Sequence, residues 1–405
     1  PCAPDTGKRV AVIGGGPAGL SCAYFLRRVG HSVNIFEAMP KLGGMLRYGI
    51  PEYRLPKAVL DWEIEGILNL GIEYHTNVKM GVDFDLGSLV GAGFDAIFMG
   101  VGAWKDYRLK IAGEDLNGCF TGINFLSQMA GQEQVPIGNR AAVIGGGNTA
   151  IDCARTLVRK GLEKVYLVYR RTRNEMPANE VEIEAAGHEG IEFIFLAAPN
   201  RVIGDSEENV SGLEYLKMEL GEPDASGRRR PVPVEGSETV LDVDTIITAI
   251  GQSPDTSFQT PGTRMDELNM TRWGTIDVDP ETCRSNVPYI FAAGDGATGP
   301  ALVVDAIGGG RRAARAIDLF LKGREVKPQP GALLSKRHIS ESLFESVPGV
   351  GKSRRAEMPE LPVQDRIHSF VEVDQVLAEP EALSEAARCL NCCRLCYDPD
   401  SRNAA

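Results

Sequence analysis

One pattern restricts this chain more than any other: an apolar run ending in closely spaced glycines occurs twice. The first copy is "KRVAVIGGGPAGLSCAYFLRRVGHSVNIFEA", in which the strand-like residues Val10 to Ile13 lead into Gly14, Gly16 and Gly19. The spacing is G-x-G-x-x-G. Gly14 allows a tight turn, Gly16 lets the backbone approach a pyrophosphate, and Gly19 lets a helix pack closely on a strand. The helical pattern opens at Pro17 and Ala18, with its N-terminus and partial positive charge toward the phosphates. A second strand, "SVNIFE", ends at Glu37, 23 residues after Gly14, where a carboxylate can accept hydrogen bonds from an adenosine ribose.

The second copy is "RAAVIGGGNTAIDCARTLVRKGLEKVYLVYRRTRNEMPANE". Ala141 to Ile144 form the strand, Gly145, Gly146 and Gly147 the turn, and Asn148 and Thr149 open the helix, with Ala150 in the third glycine's place. The following strand, Val165 to Tyr169, ends in Arg170 and Arg171, with Arg173 close by. A carboxylate there would repel a ribose 2′-phosphate, whereas guanidinium groups bind one bidentately. The site therefore favours NADP(H) over NAD(H), and the alternative is that these arginines form a solvated loop. Two Rossmann openings, acid-ended and then arginine-ended, imply FAD at the first and a nicotinamide cofactor at the second. The reaction expected is hydride exchange between nicotinamide C4 and flavin N5, with no obligatory protein acid or base.

Composition removes other classes. A net charge of −12 argues against nucleic acid as a partner, and no apolar run reaches the roughly 20 residues a membrane span needs. A soluble, cytoplasmic protein is expected. The 46 glycines cluster at the ends of apolar runs, as nucleotide-binding turns require.

Four stretches carry a resemblance to a known family: "EAMPKLGGMLRYGIPEYRLPK", "GGGNTAIDCA", "YRRTRNEMPANEVEIEAAGHEGI" and "IFAAGDGATGPALVVDAIGGGRRAARAI". Over roughly residues 7 to 322 the chain resembles the small (beta) subunit of glutamate synthase and its relatives, which include the flavin region of dihydropyrimidine dehydrogenase. The resemblance implies a glutathione-reductase-like α/β flavoprotein with two dinucleotide-binding domains. The FAD domain would be discontinuous, built from residues 7–131 and 248–322. The NAD(P) domain, 132–247, would be inserted between these segments, and 323–405 would form a linker and cysteine-rich tail. The resemblance also implies FAD contacts at Ala18, Gly19, the segment Glu37 to Met45 (Ala38, Leu42, Gly44 and Met45 within it), Arg54, Val78, Gly294, Asp295, Ala301 and Leu302. "FMGVGA" and "ITAIGQ" read as strands turning sharply into loops that return the chain between domains, with Gly102 a candidate for FAD and Ala249 and Gly251 for NAD(P).

The residues support much of this. "LGGML" is a glycine turn whose amides can reach a flavin edge, and "YIFAAGD" delivers Asp295 at a strand end, where it can accept ribityl hydroxyls. A helix beginning near Val303 would aim its N-terminus at the flavin. "GEPDASGRRRPVPVEG" reads as a solvated hairpin or loop, its arginine run a surface patch. Neither Rossmann unit contains a C-x-x-C, and Cys22 and Cys153 fall in first helices as core residues, so electrons must leave the flavin by another route.

That route points to "CLNCCRLC", which packs Cys389, Cys392, Cys393 and Cys396 into eight residues. An apolar-acidic strand-like stretch and a short amphipathic helix, Glu379 to Arg388, precede it. Such spacing can supply three thiolates to a [4Fe-4S] cluster, with zinc, free thiols or a disulfide as the alternatives. Members of the resembled family carry "EA-x-RCL-x-CG" as iron-sulfur ligands; here Cys393 replaces the glycine. They also begin with a cysteine-rich helical domain, whereas six residues precede Gly7 here, so that domain is expected from a trimmed segment or a partner subunit. The reading is an electron-transfer subunit that passes electrons from NAD(P)H through FAD and an iron-sulfur cluster to a partner redox subunit. A stand-alone reductase of small acceptors and a non-catalytic assembly subunit are the alternatives.

Overall fold

The computed structural model describes residues 2–223, 227–259, 267–328 and 355–387. In chain order the strands are β1 (Arg9–Ile13), β2 (Ser32–Phe36), β3 (Glu73–His75), β4 (Ala96–Met99), β5 (Lys105–Asp106), β6 (Cys119–Thr121), β7 (Arg140–Ile144), β8 (Lys164–Tyr169), β9 (Glu192–Phe195), β10 (Ala197–Gly204), β11 (Val210–Pro223), β12 (Arg229–Pro233), β13 (Thr239–Leu241), β14 (Thr245–Thr248), β15 (Gln252–Ser253) and β16 (Ile290–Ala292). The helices that matter for the site are α1 (Pro17–Arg28), α2 (Lys57–Leu68), α3 (Gly122–Ala130), α4 (Asn148–Arg159), α5 (Glu180–His188) and α6 (Val303–Leu321).

Two parallel sheets dominate. The first has the order β16-β4-β1-β2-β3, and the second β6-β14-β7-β8-β9. Their central strands are continuous apolar runs, "VAVI" in β1 and "AAVI" in β7, because parallel strands are covered on both faces. Every strand of the second sheet lies in sequence between β4 and β16 of the first, and its edge strand β6 begins at Cys119, ahead of the expected boundary at 132. The chain crosses between the sheets twice, and the crossings lie side by side: β5 pairs antiparallel with β15, Asp106 opposite Gln252 and Lys105 opposite Ser253. Asp106 also accepts from the amides of Ile123 and Asn124, at 3.0 and 3.3 Å, tying this ribbon to the start of α3.

Each sheet has its own core on each face. Val10, Val12, Ile35, Phe98 and Phe291 pack with α1 and α6 on one face of the first, and Ala11, Ile13, Ile97, Met99 and Leu86 fill the other. On the second sheet Val143 and Leu167 pack against Ile151 and Leu157 of α4. Its opposite face is covered by the antiparallel β10–β11 layer, from which β11 and β12 extend as an exposed hairpin carrying Arg229 and Arg230. Cys22 and Cys153 are fully buried in these cores.

Helices α1 and α6 cross closely because Gly310 has no side chain: a Cβ there would sit 2.2 Å from the carbonyl oxygen of Ala18. The chain divides into two units, and Val363–Val371 belongs with the first, Pro1–Pro328. In the second, a helix occupies Glu379–Ala387, close to the expected span. The strand-like stretch at 369–376 is not a strand: Asp374 makes one isolated bridge, to Glu360, flanked by hydrogen bonds from the Leu361 amide to the Val373 oxygen and from the Gln375 amide to the Pro359 oxygen, while Val371 and Val376 are exposed. Among the described residues no helix is long and apolar enough to cross a membrane.

Candidate functional site

A cavity of about 390 Å³ opens at the C-terminal ends of β1 and β4, where the first sheet's strand order reverses. Such switch points are where open α/β sheets bind ligands. Its floor is the first glycine turn. Gly14 has φ +94°, and a Cβ on it would strike the carbonyl oxygen of Gly100 at 2.3 Å; Gly16 faces Gly44 across the mouth, with its Cβ position 3.8 Å from the Gly44 Cα. Both loops therefore present bare backbone to the cavity.

Three carboxylates line the cavity; Asp255 is paired with Lys79 at 3.3 Å, and the other two mark its ends. Glu37, 5 % exposed, accepts from the Gly15 amide through Oε2 and from the Met39 amide through Oε1, each at 2.7 Å. Burial raises its pKa and these amides oppose the rise. Each oxygen keeps a further acceptor site for a ribose hydroxyl. Asp295 follows β16; burial raises its pKa too, against a 3.2 Å hydrogen bond from the Ala301 amide. Between them the walls are mostly apolar, with Phe36, Met80, Val101 and Phe258 among them. Backbone cradle, ribose-height acid, apolar walls and a second acid suit a flavin dinucleotide.

Of the residues expected at FAD, the cavity gathers Gly14, Gly16, Pro17, Ala18, Glu37, Ala38, Gly44, Met45, Val78, Gly102, Gly294, Asp295, Ala301 and Leu302. Three expected residues stand elsewhere. Gly19 is packed against β1, its Cβ position 1.9 Å from the Gly14 oxygen, and Leu42 props the turn from behind, against Gly15. Arg54 faces away, held by Asp152 at 2.8 Å and Glu182 at 3.1 Å. Phe258, Met80 and Trp104 line the cavity without having been expected, although Trp104 follows "FMGVGA" directly and Met80 lies two residues beyond Val78.

The second glycine turn has the same construction. A Cβ on Gly145 (φ +148°) would meet the Ala249 oxygen at 2.2 Å, and one on Gly146 the Tyr169 ring at 2.5 Å, whereas Gly147 has open space before it. Gly147 caps α4, Thr149 Oγ1 accepts from Gln252 at 3.3 Å, and Asn148 Oδ1 accepts from the Asn179 amide at 3.0 Å, folding the 172–180 loop over the turn. Ala150 is fully buried under the sheet, and Gly251 takes φ +121° where the chain leaves β14. The two arginines after β8 part company: Arg170 is exposed, whereas Arg171 is buried and donates Nε to the Arg229 oxygen at 2.7 Å. Arg173 is taken by Glu180 at 2.9 Å. Cys389, Cys392, Cys393 and Cys396 lie outside the described residues, and among the described residues no cluster of His, Cys, Asp or Glu could hold a metal.

Residues 8–310 match the pyridine nucleotide-disulphide oxidoreductase family. The chain is 41% identical over 401 residues to the "NADP(+)-dependent formate dehydrogenase subunit beta" of Moorella thermoacetica, covering 96% of this chain but only 55% of that one. It is 38% identical to the "Glutamate synthase [NADPH] small chain" of Escherichia coli (strain K12), covering 78% of this chain and 70% of that one. Among solved structures, Mycobacterium tuberculosis FprA in complex with NADPH superposes with a TM-score of 0.67 at 20% identity, over 79% of this chain and 85% of that one, which shows a shared fold.

Proposed function

Given that this chain belongs to the pyridine nucleotide-disulphide oxidoreductase family and is related to small and beta subunits of NADPH-dependent oxidoreductases, we propose that it is the flavoprotein component of an electron-transfer assembly. FAD would occupy the cavity between Glu37 and Asp295, and NADPH the turn at Gly145–Gly147. Bound together, these cofactors supply hydride exchange between nicotinamide and flavin. The protein's own work is to hold the adenosine ribose at Glu37, the pyrophosphates at the openings of α1 and α4, and the ribityl chain at Asp295. Arg170, exposed at the end of β8, would bind the 2′-phosphate.

The observation that carries the reading is the cavity itself. It sits at the switch point of one Rossmann sheet, in a chain that builds a second such sheet with a matching glycine turn. For the exit of electrons, the thiolates of Cys389, Cys392, Cys393 and Cys396 would hold an iron-sulfur cluster, a one-electron carrier suited to passing charge to a partner redox subunit. The donor set supports this, being all sulfur with C-x-x-C spacing.

The test is an anaerobic titration of the purified chain with NADPH and, separately, NADH, followed by visible absorbance and low-temperature EPR. Flavin bleaching with a reduced-cluster signal that disappears in Cys389→Ser is the expected result. Bleaching in a protein free of iron would leave a stand-alone reductase. Bound FAD that neither nicotinamide reduces would leave an assembly subunit.

A further inference from the structure

We propose that Arg366 is a positioning residue for the hydride exchange: it completes a buried ionic clamp that holds the second Rossmann sheet at a fixed attitude to the first. The inference rests on the functional reading above and extends it to a segment no motif marks.

Three stretches far apart in sequence meet in this clamp. From the FAD side come Tyr53, fully buried, and Arg54. From the second sheet's helices come Asp152, Arg155 and Arg159 on α4, Glu182 on α5 and Glu189 at its C-cap. From the C-terminal region comes Val363–Val371, bringing Arg366, 2 % exposed, and Phe370. Arg54 bridges the sheets directly, to Asp152 and Glu182. Glu189 gathers three guanidiniums, from Arg155 at 2.7 Å, Arg159 at 2.6 Å and Arg366 at 2.9 Å, and Arg155 also binds Glu182. The Tyr53 ring is the pivot: Arg159 stacks 3.8 Å and Arg155 4.9 Å from its centroid, and Phe370 lies 6.4 Å away. Burial opposes the charge on Glu189, yet the Arg159 and Arg155 hydrogen bonds hold its pKa below the ordinary range.

A network this buried accepts few geometries, because each charge left unpaired inside is costly. Besides the β5–β15 ribbon, the second sheet is joined to the first where Met45–Tyr48 packs on α3, with Ser127 Oγ donating to the Tyr48 oxygen at 3.4 Å, and by the clamp, which alone among these ties brings buried ion pairs to resist a rotation. Hydride exchange requires the reacting atoms roughly 3–3.5 Å apart, and a displacement of about 1 Å can cost on the order of a hundredfold in rate. Loosening the clamp should therefore appear in the limiting rate of flavin reduction far more than in nucleotide binding, since none of its ion pairs uses a residue of either glycine turn.

The test uses the full chain with FAD bound. Anaerobic stopped-flow mixing with NADPH separates the limiting rate from the dissociation constant, and single-molecule energy transfer between dyes on non-natural residues at exposed positions 63 and 160 reports the attitude of the sheets without chemistry. For Arg366→Ala we expect a limiting rate lower by about tenfold or more, a dissociation constant within about twofold, unchanged flavin content and a broadened distance distribution. Arg366→Lys should recover some of the lost rate. If Arg366→Ala does not retain flavin, Arg366→Gln and Arg54→Gln decide on the same terms. Wild-type limiting rates with one narrow distance, even with a lower melting temperature, would make Arg366 a stabilising residue only and overturn the proposal. A wild-type chain reduced by neither nicotinamide would overturn the functional reading, and the distances would then decide the clamp alone.

Discussion

Arg170 and Arg171 are neighbours with opposite fates, and the difference is physical. At the end of β8 successive side chains point to opposite sides, so one guanidinium stays in solvent while the other turns inward to the hairpin carbonyl of Arg229. Arg170→Ala should raise the Michaelis constant for NADPH by roughly 10- to 100-fold, the worth of one charged hydrogen-bonding contact, and leave that for NADH nearly unchanged. Steady-state kinetics with both nucleotides checks this, and Arg171→Ala should instead lower the melting temperature without changing the NADPH-to-NADH ratio. At the other cofactor, Glu37→Ala should weaken FAD retention by a similar factor, measured as flavin content after dialysis. The expectations for these residues come from local signals: a glycine spacing, then the residue that ends the next strand. Phe258 and Trp104 were not singled out, although Trp104 follows "FMGVGA" directly, because neither side chain belongs to a glycine spacing. The ion pairs of Arg54 had no local signal either, its partners Asp152 and Glu182 being about a hundred residues or more away.

At the level of elements, apolar periodicity and glycine punctuation gave strands and helices where a sheet existed to receive them. The alternating stretch at 369–376 has the pattern of a strand, but its pairing with Pro359–Leu361 stops at one bridge and two backbone hydrogen bonds, too short for a ladder. The pairing of α1 with α6 was invisible in sequence, since nothing local says that Gly310 must meet Ala18. Gly310→Ala should push these helices apart, with a loss of the order of 1–3 kcal/mol and a lower melting temperature by thermal denaturation. Helix α4 carries a pH signature. Burial raises the pKa of Asp152 to about 6, opposed by Arg54. A carboxyl raised in the folded state contributes stability that is present below its unfolded value near 4 and lost as pH rises through about 6. Asp152→Asn removes that loss, so the melting temperature of the variant relative to the wild type should rise between pH 4 and pH 7.

For the whole molecule, two truncations divide the C-terminal region by role. Ending the chain after Ala387 removes the cysteine cluster but keeps Arg366, and flavin reduction by NADPH should stay within about twofold. Ending it after Pro328 removes both, and the limiting rate should fall by about tenfold or more, by the same stopped-flow measurement. The sequence announced two dinucleotide units but not how they are held together, because an ionic clamp drawn from residues 53, 189 and 366 has no local spacing to betray it. The β5–β15 ribbon has a consequence of another kind. In an antiparallel pair the facing Cα atoms are only about 5 Å apart, so the chain enters and leaves the second sheet at nearly one point. Everything between Asp106 and Gln252 is therefore a cassette: a short join across that gap would close the flavin unit on itself, and a different nucleotide-binding cassette could be spliced in without moving either cut end.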